Sequence, residues 1–151
     1  MRRSVLLPAL LLPLAACAST PAAPAAPPSP PPVVLLVKLE TRGGLCVSGT
    51  TCESGLTVKT DGSWTSLAPD GRRSGTLPEG RLARLADAVE RTGLATAPPF
   101  TGTCPIAYDG QEQVVTWLDD GKPVTVASCE QEFDPADPLV AALDELTRSL
   151  A

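Results

Sequence analysis

The chain has 151 residues, 17 of them acidic and 12 basic, and a net charge of −5 at pH 7. That balance argues against a nucleic-acid partner, whose phosphates are neutralised by Lys and Arg. Histidine is absent altogether, which removes the usual general base, the commonest metal ligand and the Ser-His and Cys-His nucleophile arrangements.

Arg2-Arg3, an apolar run from Val5 to Leu14 and the small residues Ala15-Ala16 follow the layout of an export signal. A membrane span needs about 20 apolar residues, and this run has ten, interrupted by Pro8 and Pro13. A plain secretory signal cleaved after Ala16 would leave Cys17 as an odd thiol in an oxidising compartment. Leu14-Ala15-Ala16-Cys17 resembles the lipobox of bacterial lipoproteins. The resemblance implies cleavage before Cys17, diacylglycerol on its sulfur and a location in the cell envelope, outside the cytoplasm. Residues 1–16 are then a signal peptide and residues 17–32 a lipidated tether. Ala18 to Pro32 holds seven prolines, five alanines, two serines and one threonine. Such a segment cannot build a core, and it favours extended polyproline II of about 3.1 Å per residue. Without Arg2 and Arg3 the exported chain carries 10 basic against 17 acidic residues, net −7, so the lipid is its expected hold on the membrane.

Residues 33–151 are enough for one domain. Its four cysteines, Cys46, Cys52, Cys104 and Cys129, read as two disulfides with three pairings open. Cys46–Cys52 would close a tight loop, and Cys104–Cys129 would tie the ends of a hairpin region, so this pairing is the favoured one. No Cys-x2-Cys pair supports zinc instead, and no cofactor is expected.

Val33 to Thr41 begins as a continuous apolar run and ends in alternation, as a central strand with one half-exposed end would. Leu56 to Thr60 and Trp64 to Leu67 flank Asp61-Gly62, which predicts a type I′ hairpin. Pro69-Asp70-Gly71 is a further turn, leading through Arg72-Arg73 to Thr76. Between Pro78 and Gly93, Leu82, Leu85, Ala86 and Val89 form one helical stripe. Ala95 to Pro105 is proline-rich loop. Val114 to Leu118 and Pro123 to Ala127 make a second hairpin around Asp119-Asp120-Gly121-Lys122. Asp137-Pro138 should cap a last helix that carries Leu139, Leu143, Leu146 and Leu150 on its buried face. The expected fold is α+β: a two-layer domain in the order β-ββ-α-ββ-α, with an antiparallel sheet of about four or five strands and two helices on one face.

Arg42-Gly43-Gly44, Leu56 and Val58 before Asp61-Gly62, the Leu82/Leu85/Val89 helix, Val124, Val126, Asp134 and Pro138-Leu139 together resemble the emfourin family. These are small inhibitors of thermolysin-like metalloproteases. The resemblance implies an extracellular or envelope protease as partner and assigns no inhibitory residue. The residues themselves offer Thr50 in the Cys46–Cys52 loop, and Pro98, Pro99 and Phe100, as contacts that a disulfide would preorganise. A passive cell-envelope component or small-ligand carrier is the alternative, although Trp64, Trp117 and Tyr108 are expected in the core. Asp109-Gly110-Gln111-Glu112 and Asp134-Pro135-Ala136-Asp137 cluster carboxylates, but turns and helix caps account for both more simply than acid–base catalysis or calcium.

Overall fold

A computed structural model describes residues 31–44 and 52–150. Six strands form one antiparallel sheet: β1 (Leu35–Gly43), β2 (Ser54–Lys59), β3 (Ser63–Ala68), β4 (Gly71–Thr76), β5 (Gln111–Asp119) and β6 (Lys122–Ala127). Their spatial order is β4-β3-β2-β1-β5-β6, so the most apolar strand, β1, lies inside the sheet with β2 and β5 on either side. Helices α1 (Glu79–Arg91) and α2 (Pro138–Leu150) complete the α+β domain.

The two-residue period of the strands decides what each face carries. On β1, Val37 and Leu39 stand beside Val58 and Leu56 of β2 and beside Trp117 and Val115 of β5. These residues and Val126 meet Leu85 and Val89 of α1 and Leu139, Leu143 and Leu146 of α2 in a single core. Val37, Val58, Leu94, Val115 and Leu139 are almost wholly buried. The alternate residues of β1, Lys38, Glu40 and Arg42, lie on the opposite face, where both cations pair with Glu40 at 3.0 and 3.2 Å. The hydrogen bond from Lys38, with smaller help from Arg42, holds the Glu40 carboxyl below its ordinary pKa against the opposing effect of partial burial.

The sheet is one strand larger than predicted. In β4 all six residues, Gly-Arg-Arg-Ser-Gly-Thr, are exposed. No apolar alternation marks such a strand, and pairing arises from the Pro69–Gly71 turn, which folds the chain back along β3. Gly75 lies opposite Trp64, and a Cβ there would come within 2.9 Å of the indole. The missing side chain leaves room for the ring. The two arginines of this edge strand also suit it to remain unpaired, since charge blunts a free edge.

The β2–β3 turn also differs from expectation. A type I′ turn needs positive φ at both central residues, yet only Gly62 of the pair has it, at 81°. Thr60 joins the loop, Gly62 donates its N–H to the Lys59 carbonyl at 3.0 Å, and Asp61 accepts the Ser63 N–H at 2.9 Å. The three-residue loop therefore takes its geometry from that side-chain bond. At the β5–β6 turn both Asp120 and Gly121 are left-handed, at 48° and 74°, the pattern of a I′ hairpin.

Candidate functional site

Cys17, Cys46 and Thr50 lie outside the described residues. Cys52 is disulfide-bonded, and its sulfur sits 3.0 Å from the carbonyl oxygen of Gly44 at the end of β1. Cys104 and Cys129 are bonded to each other, with Cα atoms 5.1 Å apart. Pro98 and Pro99 are exposed and Phe100 is half-buried. Its ring folds over Gly102, where an added Cβ would meet it at 2.6 Å.

The segment from Thr92 to Gly110 is shaped by anchors distributed along it. Asp137 supplies the first. Its carboxylate accepts the Leu139 N–H at 2.8 Å and the Val140 N–H at 3.3 Å, capping α2. It also accepts the Thr92 hydroxyl at 2.9 Å and the Gly93 N–H at 2.8 Å, tying the end of α1 to the start of α2. Leu94, 1% exposed, plugs into the core just beyond. Losing a cap costs about 0.5–2 kcal/mol, and charge-assisted hydrogen bonds add about 1.5–3 kcal/mol each. Asp137→Ala is therefore expected to destabilise the domain by roughly 2–4 kcal/mol, with Asp137→Asn recovering part of the loss. Urea unfolding of the two variants checks both magnitude and order.

Next, Pro98 to Phe100 pairs as a short extended segment with residues 130–132. Pro99 and Gln131 form an isolated antiparallel bridge. Phe100 N–H donates to the Glu130 carbonyl at 3.0 Å, and Glu132 N–H donates to the Pro98 carbonyl at 2.8 Å. The Cys104–Cys129 bond is the third anchor. Beyond it Pro105 opens a 3-10 turn, Pro105–Tyr108, closed by Asp109 at φ 58°. Gly110 donates to the Pro105 carbonyl at 2.8 Å. A Cβ on Gly110 would lie 2.6 Å from that of Pro105, so the turn closes tightly only with glycine here.

This turn presents Ile106 at 42% and Tyr108 at 78% exposure. The expectation of Tyr108 in the core is corrected. Trp117, by contrast, is 3% exposed and Trp64 packs against the core. Tyr108 lies outside because Pro105 and the disulfide start a turn on the surface, away from the helix-covered face. Sequence reasoning singled out the Pro-Pro-Phe loop and missed Ile106 and Tyr108. The bracketing of Ile-Ala-Tyr by Cys104-Pro105 and Asp109-Gly110 is a turn signal that could have marked them.

Glu112 places a carboxylate oxygen within 4.8 Å of both cysteine sulfurs. While those sulfurs are bonded to each other they offer no thiolate, so the group has no Cys ligands for a metal. Elsewhere a cleft of about 400 Å³ opens beside the last turn of α2, between Leu39, Leu56, Ala68, Pro69 and Leu150. Among the described residues no helix is long and apolar enough to cross a membrane. In sequence, no protein-family profile and no curated protein matches this chain, which leaves its own residues to carry the functional reading.

Proposed function

We propose that this chain is a lipid-anchored protein of the bacterial cell envelope, whose exported domain binds another protein and catalyses nothing. The anchor reading rests on the lipobox-like Leu14-Ala15-Ala16-Cys17. Cys17→Ser should then move the protein from the detergent phase to the aqueous phase on phase partition. Unchanged partition would remove the lipid.

One observation carries the binding reading. Tyr108 and Ile106 stand exposed on a turn that the Cys104–Cys129 disulfide ties at its start and that backbone hydrogen bonds from Ala107 to the Cys104 carbonyl and from Gly110 to the Pro105 carbonyl close. Exposed aromatics on a rigid support are what interface hot spots are made of, because little entropy is lost when they dock. The absence of histidine supports a role without catalysis. The resemblance stated above supplies the partner class to try first, a thermolysin-like metalloprotease.

The test titrates the intact, oxidised chain against such a protease. Stoichiometric inhibition with the chain uncut is the expected result. Tyr108→Ala should weaken it by about 1.5–3 kcal/mol, roughly ten- to a hundredfold in Kd, without lowering stability. No inhibition at high excess, across several such proteases, would remove this partner class.

The cleft beside α2 favours a second reading, a carrier of small apolar ligands. Native mass spectra would then show an adduct that Ala68→Trp, which fills the cleft, abolishes. Spectra without any adduct from a native source would set the carrier aside.

A further inference from the structure

We infer that Asp120 is a site of spontaneous covalent modification, at which its bond to Gly121 rearranges to isoaspartate while the same dipeptide elsewhere in the chain is held back. Asp-Gly occurs four times, as Asp61-Gly62, Asp70-Gly71, Asp109-Gly110 and Asp120-Gly121. The chemistry open to each is the same. The glycine amide nitrogen attacks the Asp Cγ, a C–N bond forms and a C–O bond of the carboxyl group breaks. That oxygen leaves as water, taking the amide proton and the acid proton. Water then adds to one carbonyl of the five-membered imide. Opening on one side restores aspartate; opening on the other leaves the main chain running through Cβ and Cγ. No oxidant, metal or enzyme enters, and the composition of the chain is unchanged.

Ring closure needs a glycine N–H that is free to leave its surroundings and a carboxyl group that is free to swing onto it. Because the following residue is glycine at all four places, side-chain bulk does not tell them apart, and the fold does. Gly62 donates its N–H to the Lys59 carbonyl at 3.0 Å, and the Asp61 carboxylate accepts the Ser63 N–H at 2.9 Å and the Ser63 hydroxyl at 2.6 Å. The bond from that hydroxyl, with the one from the N–H, also holds the Asp61 pKa below its ordinary value, so the protonated acid that loses water is scarcer. Gly71 pairs with Ala68 in the β3–β4 ladder, and Arg73 holds the Asp70 carboxylate. Gly110 donates its N–H to the Pro105 carbonyl at 2.8 Å.

Asp120-Gly121 meets both needs. The pair forms the centre of the β5–β6 turn, both residues are exposed, and Asp119 and Lys122 pair across it. Among the described residues, no hydrogen bond involves the Gly121 N–H, and no hydrogen bond or ion pair involves the Asp120 carboxylate. A Cβ built on Gly121 would meet nothing within 4 Å, so the ring would form in open space. The product matters to the sheet. A two-residue I′ loop fits the twist of its strands, and one more main-chain atom no longer matches the Asp119–Lys122 pair. Strand β6, which sets Val124 and Val126 against the core, would fray from that end.

The test incubates the intact, oxidised full chain in detergent at physiological temperature and neutral pH, beside a second sample in concentrated urea. Peptide mapping, with fragmentation that distinguishes isoaspartate from aspartate, follows each position over time. In urea all four dipeptides should convert at similar rates. In the folded chain Asp120 should stay close to its urea rate. The other three should fall below theirs by roughly two- to tenfold for each contact that must open first. Asp61→Asn, Asp70→Asn, Asp109→Asn and Asp120→Asn, made singly, repeat the comparison through loss of ammonia from the same ring, which mass alone reads.

Equal conversion at all four positions of the folded chain would overturn the inference, because the fold would then select nothing. So would a folded chain in which Asp61, Asp70 or Asp109 converts first. A rate at Asp120 more than about tenfold below its urea value would overturn it too, since the turn itself would then be the restraint. Conversion led by Asp120 would uphold it, and amide exchange at Val124 and Thr125 should then quicken in the modified chain.

Discussion

Replacing Cys104 and Cys129 together by serine is expected to lower the unfolding free energy by about 3–4 kcal/mol, judged from loop-closure entropy. The two residues are 25 apart in sequence. Freed of the bond, the unfolded chain regains the conformations that the closed loop had excluded. Against a typical domain stability of about 5–15 kcal/mol, that is a large share. The double variant also avoids leaving a reactive single thiol.

Its effect on the surface should be uneven. Pro98 to Phe100 keeps its hydrogen bonds to Glu130 and Glu132. Pro105 to Tyr108 loses the tie immediately before it. Amide exchange should therefore quicken more at Ile106 and Tyr108 than at Phe100, and partner binding should fall along with it. Urea unfolding checks the first effect and hydrogen exchange the second. A stability change below about 1 kcal/mol would mean that the unfolded chain is already held compact in this region.

Trp117→Ala should be the most damaging single substitution in the core, at about 3–5 kcal/mol. The side chain is 3% exposed and stands between Val37 of β1 and Val124 of β6. It contributes the largest apolar surface to the helix-covered face. Neighbouring Val and Leu side chains are too short to refill the space, so most of the cavity would remain. Trp64, the second of two tryptophans, stays behind as the fluorescent reporter of unfolding. A loss below about 1.5 kcal/mol would show that the sheet and helices collapse onto the gap.

How much of this was legible in the residues varies with the range of the interactions. The stripe Leu85/Val89 and the cap Asp137 are local patterns, and both appear where expected. The β5–β6 hairpin, two apolar runs around Asp119-Asp120-Gly121-Lys122, is equally local. Strand β4 was not, because a solvated edge strand need bury nothing and leaves no apolar period to read. The second role of Asp137, gripping Thr92 and Gly93, joins residues 44 and 45 positions apart. No local pattern encodes such a pairing. Tyr108 defeated a reading from residue type alone. An aromatic ring is normally worth burying, and only the tertiary course of the Cys104–Cys129 tie places it outside.

The direction of β1 has a mechanical consequence. The chain enters the domain at Val34, whose N–H and carbonyl are held by Thr60 beside the β2–β3 turn. Gly43, at the other end of the strand, lies against Ile106 and Gly110. Nine residues at about 3.3 Å each separate the two ends by roughly 30 Å. Under the anchoring and binding proposed above, a pull between the N-terminus and a partner at Tyr108 would run along β1. Hydrogen bonds to β2 and β5 on both sides stand perpendicular to that pull. They share the load in shear instead of parting one at a time, so the domain should withstand tension applied between Val34 and Gly43 far better than a pull that peels β4 from its edge.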